Sequence, residues 1–284
     1  MNDMSLFLVA RPPDQMCEKN IDLLIIVKTI ASNFNVRQDL RRRFEEVKMS
    51  KTMSYKVVFT LGLPIADNGN KIRKKFFESH LTGRAGSVLN EYNDKNKSQE
   101  IFRKILKESE THQDILLGSY FDSYYNLTEK CITSWRWISQ FCPNAQTVLI
   151  MDDDMWLNLE KIAEFLDSLS ERKRLNIAAG TVWDGKYVSR PAKNPSDNRW
   201  ALHPSVYPWD TFPAYFSGIA AFYGKETILS LAIGSAFVQY LDIDDSFIGI
   251  ALYKLGIMPD HISSVSYGRI QQMNQSLEVL AGFQ

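Results

Sequence analysis

The sequence is poor in three features that would each have indicated a class of protein. Its 33 basic residues balance 33 acidic ones, so no overall charge directs the protein to nucleic acid or to an anionic membrane surface. No apolar run reaches the roughly 18 residues needed to cross a bilayer, and we therefore expect no membrane anchor in this chain. Its three cysteines form no dense disulfide framework, and their odd number leaves at least one thiol unpaired within the chain.

Length and composition indicate a compact domain of the size that enzymes have. With 284 residues, 45% of them hydrophobic, the chain is long enough to bury a large core. We expect a single elaborated domain over residues 21–270, preceded by an arm of residues 1–20 and followed by a tail of residues 271–284. Within it, strands alternate with helices in the α/β manner, and no internal repeat is present.

Hydrophobic periodicity gives the coarse positions of these elements. Continuous β-branched and leucine-rich runs predict strands at residues 21–27, 55–60, 114–117, 148–151 and 177–180. Apolar residues at three- and four-residue spacing predict helices at residues 36–47 with Asn35 as the cap, 99–108, 126–141, 158–170 and 247–255. Residues 67–97 are polar and predict an irregular insertion. Cys131 and Cys142 fall about three turns apart on one predicted helix, too far to bridge each other.

The most informative segment is the acidic run Asp152, Asp153 and Asp154, which directly follows a buried strand. Three adjacent negative charges repel one another unless a cation or a set of donors holds them. The carboxyl ends of strands in an open α/β sheet are where ligands bind, and hard oxygen ligands suit Mg²⁺ or Mn²⁺ that also holds substrate phosphates. The run therefore predicts a metal and phosphate site, the alternative being a solvated strand end that caps the next helix.

A second acidic cluster, Asp242, Asp244 and Asp245, opens the predicted helix at residues 247–255. The helix dipole and its free N–H groups stabilise a carboxylate in its ionised form, which is the form that a general base must hold. Helix capping alone is the alternative. Between the two acidic clusters, residues 181–218 are rich in aromatic rings and prolines, which predicts a stiff loop whose rings pack the core or stack on sugar rings. Gly218 at its end predicts a turn.

These residues resemble the β-1,3-galactosyltransferase-like glycosyltransferases, glycosyltransferase family 31. The family's strand followed by Arg-x-x-Ile-Arg-x-x-Trp is similar to residues 21–27 followed by RQDLRRRF at 37–44, with Phe44 in the Trp position. Its Asp-x-Tyr-x-Asn-Leu-Thr-x-Lys segment matches DSYYNLTEK at residues 122–130, and its metal motif matches DDD at residues 152–154. The resemblance covers most of residues 21–258.

The later motifs match with departures. Trp200, YP at residues 207–208 and FPAYFSG at residues 212–218 are similar to the family's aromatic and Ser-Gly region. The family's Glu-Asp-Val-x-x-Gly motif falls on residues 244–249, DDSFIG, so that Asp244 replaces Glu and Ser246 replaces Val. The Asp that the family uses as its base is retained as Asp245. The shorter Asp244 affects the contacts that support the base more than the base itself.

The resemblance implies a role for each matched position. Asp245 would be the catalytic base, and Asp154 and Asp152 the metal ligands, with His261 as the available candidate for a further ligand found downstream in related enzymes. Donor binding would fall to the remaining matched residues: Arg37, Arg41, Asp122, Lys130, Asp152, Asp153 and Gly218. The implied fold is a GT-A-like nucleotide-sugar transferase fold, with a central, mostly parallel sheet flanked by helices.

The implied reaction is an inverting transfer of a hexose from a UDP-sugar to a hydroxyl of a glycan acceptor on a glycoprotein or glycolipid, dependent on Mn²⁺ or Mg²⁺. The product would be a β-1,3 linkage. Galactose, N-acetylglucosamine and N-acetylgalactosamine donors all occur in the family. Its members are held in the Golgi membrane by an N-terminal helix, so the resemblance also implies a Golgi location, with no nucleic-acid partner.

Two rival interpretations stay open on the sequence. An apolar strand, Asp-x-Asp and a later Asp-Asp also describe phosphotransferases of the haloacid-dehalogenase type, with Asp152 as nucleophile, Asp154 as acid, and Asp244 and Asp245 on Mg²⁺. The departures at Phe44, Asp244 and Ser246 are also compatible with a sugar-binding relative that has lost catalysis.

Overall fold

The structure is a computed structural model. It describes residues 6–47, 53–64, 95–191, 200–269 and 280–283. The strands in this part are β1 (Leu8–Ala10), β2 (Ile21–Lys28), β3 (Tyr55–Leu63), β4 (Ile115–Phe121), β5 (Ala145–Asp152), β6 (Met155–Leu157), β7 (Ala178–Trp183), β8 (Tyr215–Gly224), β9 (Asp260–His261), β10 (Val265–Arg269) and β11 (Ala281–Phe283). The helices are α1 (Phe34–Glu46), α2 (Lys95–His112), α3 (Leu127–Phe141), α4 (Leu159–Ser168), α5 (Glu171–Asn176), α6 (Lys225–Gly234) and α7 (Asp244–Lys254), with 3₁₀ turns at Asp14–Cys17, Tyr124–Asn126 and Ser235–Phe237.

Eight of these strands form one sheet in the order β1-β4-β3-β2-β5-β8-β7-β9. Within it, β1 and β8 run opposite to the other six. The strands β10, β11 and β6 form a second, smaller sheet. The predicted α/β architecture, a mostly parallel central sheet flanked by helices, is confirmed, and it is consistent with a GT-A-like arrangement.

The sheet is covered on both faces, which explains why its central strand is apolar without alternation. Every residue from Leu23 to Val27 is fully buried. Because strand side chains alternate, Leu24 and Ile26 enter the core beneath α3, α6 and α7, whereas Leu23, Ile25 and Val27 enter the core beneath α1, α2 and α4. Fully burying each such side chain contributes about 1.5–3 kcal/mol.

The local sequence explains where the structure departs from the predicted boundaries. Helix α1 begins at Phe34, so Asn35 lies inside it and the predicted cap is wrong. Strand β3 does not end at residue 60 but continues through Gly62 to Leu63, and the ring of Tyr120 lies where a side chain at position 62 would be. The predicted helix at residues 158–170 is confirmed as α4, and a separate helix, α5, follows it, capped by Ser170, which accepts the N–H of Lys173. Of the predicted insertion, residues 67–94 lie outside the described residues.

Both predicted terminal segments contribute to the fold. Strand β1 pairs antiparallel with β4, and β11 pairs with β6. Cys17 forms a disulfide with Cys142, whereas Cys131 is buried and free, which confirms that Cys131 and Cys142 do not bridge each other. No helix among the described residues is long and apolar enough to span a membrane.

The disulfide joins residues 125 positions apart and is expected to contribute strongly to stability. By the loop-closure estimate, a cross-link over this span stabilises the native state by about 4–5 kcal/mol. We expect the double variant Cys17→Ala, Cys142→Ala to unfold about 10 °C below the parent, measured by differential scanning fluorimetry.

Adding dithiothreitol provides the control for this prediction. Reductant should lower the unfolding temperature of the parent but leave that of the double variant unchanged. Equal unfolding temperatures for the parent and the double variant would contradict the stabilising role.

Candidate functional site

The sheet register brings three residues from neighbouring strands to one edge. Lys28 at the end of β2 pairs with Asp152 at the end of β5. Strand β8 runs the other way, and its pairing of Ala220 with Met151 places Gly218 near the start of β8 at the same edge. This is the edge at which the parallel strands have their carboxyl ends, where open α/β sheets bind ligands.

The side chain of Lys28 connects the two acidic clusters. Its Nζ lies 3.2 Å from Asp152 Oδ1 and 3.1 Å from Asp244 Oδ2, and it donates to the carbonyl oxygen of Gly218 at 3.0 Å. Burial alone would lower the pKa of Lys28, but the carboxylates of Asp152 and Asp244 outweigh burial and raise it well above the ordinary value. Lys28 is therefore a permanent buried cation at this edge.

Asp245 lies beside this cation in the first turn of α7. Its Oδ2 accepts the backbone N–H of Gly218 at 3.0 Å. Burial raises the pKa of Asp245 well above the ordinary carboxyl value and the negative charge of Asp244 raises it further, while Lys28 acts in the opposite direction. A carboxylate with a raised pKa binds a proton more readily, which suits a general base.

Gly218 is part of this arrangement for a reason different from the predicted one. It lies within β8, so the predicted turn is wrong. A Cβ at this position would overlap Oδ1 of Asp245. The absence of a side chain at residue 218 thus allows the carboxylate to approach the strand and accept its N–H.

The three consecutive aspartates have different surroundings. Asp152 is half-buried beside Lys28, and burial raises its pKa to about 6 although the Lys28 charge acts to lower it. Asp153 is buried, and its Oδ2 accepts from Thr29 Oγ1 at 2.8 Å and from Asn33 Nδ2 at 2.7 Å. Asp154 is half-buried in the turn that follows β5. Asp152 and Asp154 therefore both reach solvent, while Asp153 fixes the segment between β2 and α1.

The same segment, residues 29–33, is held by a second buried ion pair. Lys130 Nζ donates to the carbonyl oxygen of Thr29 at 2.6 Å and to Asp122 Oδ1 at 2.9 Å. Asp122 Oδ2 accepts the N–H of Ala31 at 2.6 Å. Lys130 and Asp122 have almost no exposed surface, so the structure supports a positioning role rather than direct contact with a ligand.

The predicted donor contacts of Arg37 and Arg41 are not supported. The guanidinium of Arg37 is fully buried, pairs with Glu108 at 2.7 Å, and donates to the carbonyl oxygens of Ile30 and Ala31. Arg41 pairs with Glu108 and with Asp114. The sequence showed the helical spacing of these basic residues but not their partners, because Glu108 and Asp114 lie about 70 residues further along the chain. Arg37 positions residues 30 and 31, and Arg41 joins α1 to α2 and β4.

The predicted metal ligand His261 is also not supported. It lies in β9, paired with Gly180, and its Nδ1 accepts the backbone N–H of Val182 at 3.1 Å. Within the described ranges, no three His, Cys, Asp or Glu side chains are arranged to hold a metal by themselves. A metal at this edge would need oxygen ligands from a substrate.

A cleft of about 330 Å³ opens beside Asp245. Both carboxylates and aromatic rings line it, and the rings are supplied largely by the predicted aromatic loop. The described lining residues are Tyr124, Leu127, Trp183, Tyr187, Ser189, Trp200, Phe212, Tyr215, Asp242, Ile243, Asp244, Asp245 and Ser246. Such a mixture of flat apolar surfaces and acceptors suits a hydroxyl-rich ring compound.

Lys28 is the main site residue absent from the sequence-based predictions. The available signal was a lysine directly after seven residues of a buried strand, a position at which its charge requires a partner. The departures from the family pattern are accommodated: Asp244 is held by Lys28, Ser246 is buried, and Phe44 packs on the core and on Tyr55.

The chain is similar to known proteins over most of its length. A family model described as galactosyltransferase matches residues 93–263, more than half of the chain. The lactosylceramide 1,3-N-acetyl-beta-D-glucosaminyltransferase of Homo sapiens is 26% identical over 250 residues, which are 86% of this chain and 57% of that protein. The beta-1,3-galactosyltransferase 1 of Mus musculus is 24% identical over 265 residues, 93% of this chain and 69% of that protein.

The chain thus spans less than two thirds of the length of the first of these relatives. Among solved structures, the 4-diphosphocytidyl-2C-methyl-D-erythritolsynthase from Anaerococcus prevotii DSM 20548 is 10% identical, with a TM-score of 0.37 over 85% of this chain and 88% of that chain. This TM-score is too low to support a shared fold. The sequence relatives do not support the phosphotransferase alternative, because their names describe sugar transfer.

The raised pKa of Asp152 predicts a stability that depends on pH. The folded protein holds this proton to about pH 6, whereas the unfolded chain releases it near the ordinary carboxyl value of 3.8. The folded state therefore binds more protons between these values, and its stability falls as the pH rises through this window. Asn cannot ionise, so the unfolding temperature of Asp152→Asn minus that of the parent should be more positive at about pH 7.5 than at about pH 4.

Differential scanning fluorimetry in metal-free buffer measures this difference. Asp184→Asn, which removes an exposed carboxylate in the loop after β7, gives the baseline. A temperature difference for Asp152→Asn that stays the same at both pH values would show that Asp152 ionises in the folded protein as readily as in the unfolded chain.

Proposed function

Because the chain belongs to the galactosyltransferase family, we propose that it is an inverting glycosyltransferase that depends on Mn²⁺ or Mg²⁺. It transfers a hexose or an N-acetylhexosamine from a UDP-sugar to a hydroxyl of a glycan acceptor, forming a β-1,3 linkage. Two of its relatives are named for 1,3-linked transfer of N-acetylglucosamine and of galactose, which supports this class of donor and linkage.

The observation that carries the proposal is the bridge made by Lys28 between the two acidic clusters. One ammonium group lies within 3.2 Å of both Asp152 and Asp244, so the proposed donor side and the proposed acceptor side of the reaction adjoin each other. A single-displacement transfer requires this, because the acceptor oxygen must approach C1 of the sugar while the diphosphate leaves from the opposite face. The aromatic cleft beside Asp245 provides space for the acceptor.

The residues of the first cluster fit a divalent cation. Mg²⁺ and Mn²⁺ at nucleotide sites are commonly held by one or two carboxylates together with substrate phosphates, rather than by a complete protein cage. Asp154 and Asp152 reach solvent at the strand end and would supply these carboxylates. When bound, the cation would neutralise the charge that the diphosphate gains as it leaves.

Asp245 performs the proton transfer in this proposal. The acceptor oxygen forms a bond to C1 as the bond between C1 and the diphosphate oxygen breaks, and the hydroxyl proton passes to the carboxylate of Asp245. One displacement inverts the configuration at C1, so an α-linked donor gives a β-linked product. A correctly placed base of this kind accelerates a reaction by about 10²–10⁴-fold.

The backbone N–H of Gly218 fixes the orientation of Asp245, and Lys28 offsets the repulsion between the neighbouring carboxylates. Lys28 therefore acts against the rise of the Asp245 pKa and favours the ionised carboxylate that accepts the proton.

We place the protein in the Golgi apparatus. The Cys17–Cys142 disulfide suits an oxidising compartment of the secretory pathway. Association with the Golgi membrane rests on the family resemblance alone.

Two aspartate variants separate the proposed roles. Asp245→Asn removes the base but keeps the hydrogen bond with Gly218 possible, so we expect transfer to fall by about 10²–10⁴-fold while donor binding stays within a few fold. Asp154→Ala removes a metal ligand, so we expect donor binding that depends on Mn²⁺ to be lost. Isothermal titration calorimetry with UDP and Mn²⁺ measures the binding, and an equal loss of binding in both variants would contradict the assignment.

Hydrolysis of a panel of UDP-sugars in the presence of Mn²⁺ identifies the donor and tests catalysis itself. Turnover of one UDP-sugar excludes the non-catalytic relative. A protein that binds UDP and Mn²⁺ but hydrolyses no UDP-sugar and transfers none would refute the proposal.

Gly218→Ala tests the positioning of the base. The added methyl group overlaps Oδ1 of Asp245 and must displace the carboxylate. We expect a loss of transfer of about 10²-fold with UDP binding unchanged, because misplacement of a catalytic group by about 1 Å has an effect of this size. Full activity of the alanine variant would show that the contact between Gly218 and Asp245 is unimportant for the reaction.

A further inference from the structure

Three large aromatic side chains beside the cleft are exposed to solvent. Tyr187 is 83% exposed, Trp209 is 65% exposed and Trp200 is 53% exposed. We call these three residues the aromatic rim. A single exposed aromatic side chain is common on protein surfaces, but several next to a cleft are typical of a binding surface.

Backbone hydrogen bonds join the segment that carries Tyr187 to the segment that follows Trp209. Tyr187 forms an antiparallel bridge with Thr211, closed by the Val188 N–H to the Asp210 carbonyl at 2.8 Å and by the Phe212 N–H to the Lys186 carbonyl at 2.9 Å. Trp209 precedes Thr211 by two residues and connects to the cleft through ring contacts, because its ring packs on Tyr207, and Tyr207 packs on Phe212 with 5.0 Å between the centroids. Tyr187, Trp200 and Phe212 line the cleft, and Trp209 lies next to this group of rings.

The aromatic rim is held in place by contacts beneath it. Arg190 donates to the carbonyl oxygens of Leu202 at 3.1 Å, Tyr207 at 2.7 Å and Trp209 at 2.6 Å. The ring of Tyr207 is buried and packs against that of Trp209, with 5.2 Å between the ring centroids. On the other side, Trp200 Nε1 donates to the hydroxyl of Tyr124 at 3.0 Å. Trp209 and Trp200 are thus pre-organised, which lowers the entropy cost of binding.

The charges in the cleft restrict the occupant. The described lining residues include three aspartates, Asp242, Asp244 and Asp245, and no lysine, arginine or histidine. These carboxylates repel phosphate, sulfate and carboxylate groups on an incoming molecule. A ligand with flat C–H faces, many hydroxyls and no charge satisfies both the rings and the carboxylates, and a neutral pyranose has this chemistry.

We propose that the aromatic rim is an extension of the acceptor site, which binds the sugar units that precede the one receiving the transferred hexose. This inference rests on the proposed transferase function. The sugar that reacts lies beside Asp245, and the next units of the chain stack on Tyr187, Trp200 and Trp209. The protein therefore prefers a neutral oligosaccharide to a single sugar.

An acceptor series with a constant reacting end tests the inference. Galactose, lactose and lacto-N-neotetraose all present a terminal galactose but differ in length, and saturation-transfer NMR with UDP and Mn²⁺ measures their binding to the purified chain. We expect affinity to rise at least about ten-fold from galactose to the tetrasaccharide, and Trp209→Ala and Tyr187→Ala each to remove most of that gain. Their affinity for galactose should stay within two-fold of that of the parent.

Tyr253→Ala is the matched control, since Tyr253 is 70% exposed on α7 and does not line the cleft. It should change none of the affinities. Hydrolysis of the UDP-sugar is measured in parallel with water as the acceptor, and Tyr253→Ala should hydrolyse it at the parental rate.

The outcomes separate the two proposals. If the parent hydrolyses a UDP-sugar but its affinity shows no increase with acceptor length, or the rim variants keep the increase, the extended subsite is refuted and the transferase function stands. If the parent hydrolyses no UDP-sugar and transfers none, the transferase function itself fails. Equal weakening of galactose and tetrasaccharide binding in the rim variants would also refute the subsite, by showing that the rings merely support the cleft.

Discussion

A single buried ammonium group holds the candidate site together. Lys28 contacts Asp152 from β5, Asp244 from α7 and the carbonyl oxygen of Gly218 from β8, so three elements distant in sequence converge on one charge. Without this cation, the carboxylates of Asp152, Asp244 and Asp245 would repel one another in a poorly solvated environment. The charge of Lys28 in turn persists under burial only because the carboxylates surround it. The buried cation and the carboxylates around it therefore stabilise each other.

A second group of buried charges supports the segment between β2 and α1. Asp122, Lys130, Asp153 and Arg37 all bond to residues 29–33, mostly through backbone atoms. A loop at the carboxyl edge of the sheet cannot be positioned by apolar packing alone, since its backbone groups need hydrogen-bond partners. The chain meets this need with ion pairs that are themselves satisfied. Several residues of the family motif thus shape the site without facing it.

The sequence predicted what depends on local pattern and on short segments. The apolar run of β2, the stripe of α3 and the acidic end of β5 each carry their own signal, and the alternation of strands and helices from β2 to α4 followed from them. Strand β8 and helix α6 were not predicted. The function of Arg37, Arg41, Asp122 and Lys130 could not be predicted from the same information, because each is decided by a partner elsewhere in the chain, such as Glu108 for Arg37. The importance of Gly218 was visible, but its reason, the approach of Asp245, exists only once β8 and α7 are packed together.

The position of Lys28 at the end of β2 also constrains how this protein can change. The five residues before it alternate between two cores, and the same register against β5 sets Lys28 opposite Asp152. An insertion or deletion of one residue within β2 would exchange its core faces and at the same time take the cation away from its carboxylates. A change in the length of β2 would therefore disrupt both the core and the site. New specificities can arise in the loops that border the cleft, because changes there leave the register of the sheet intact.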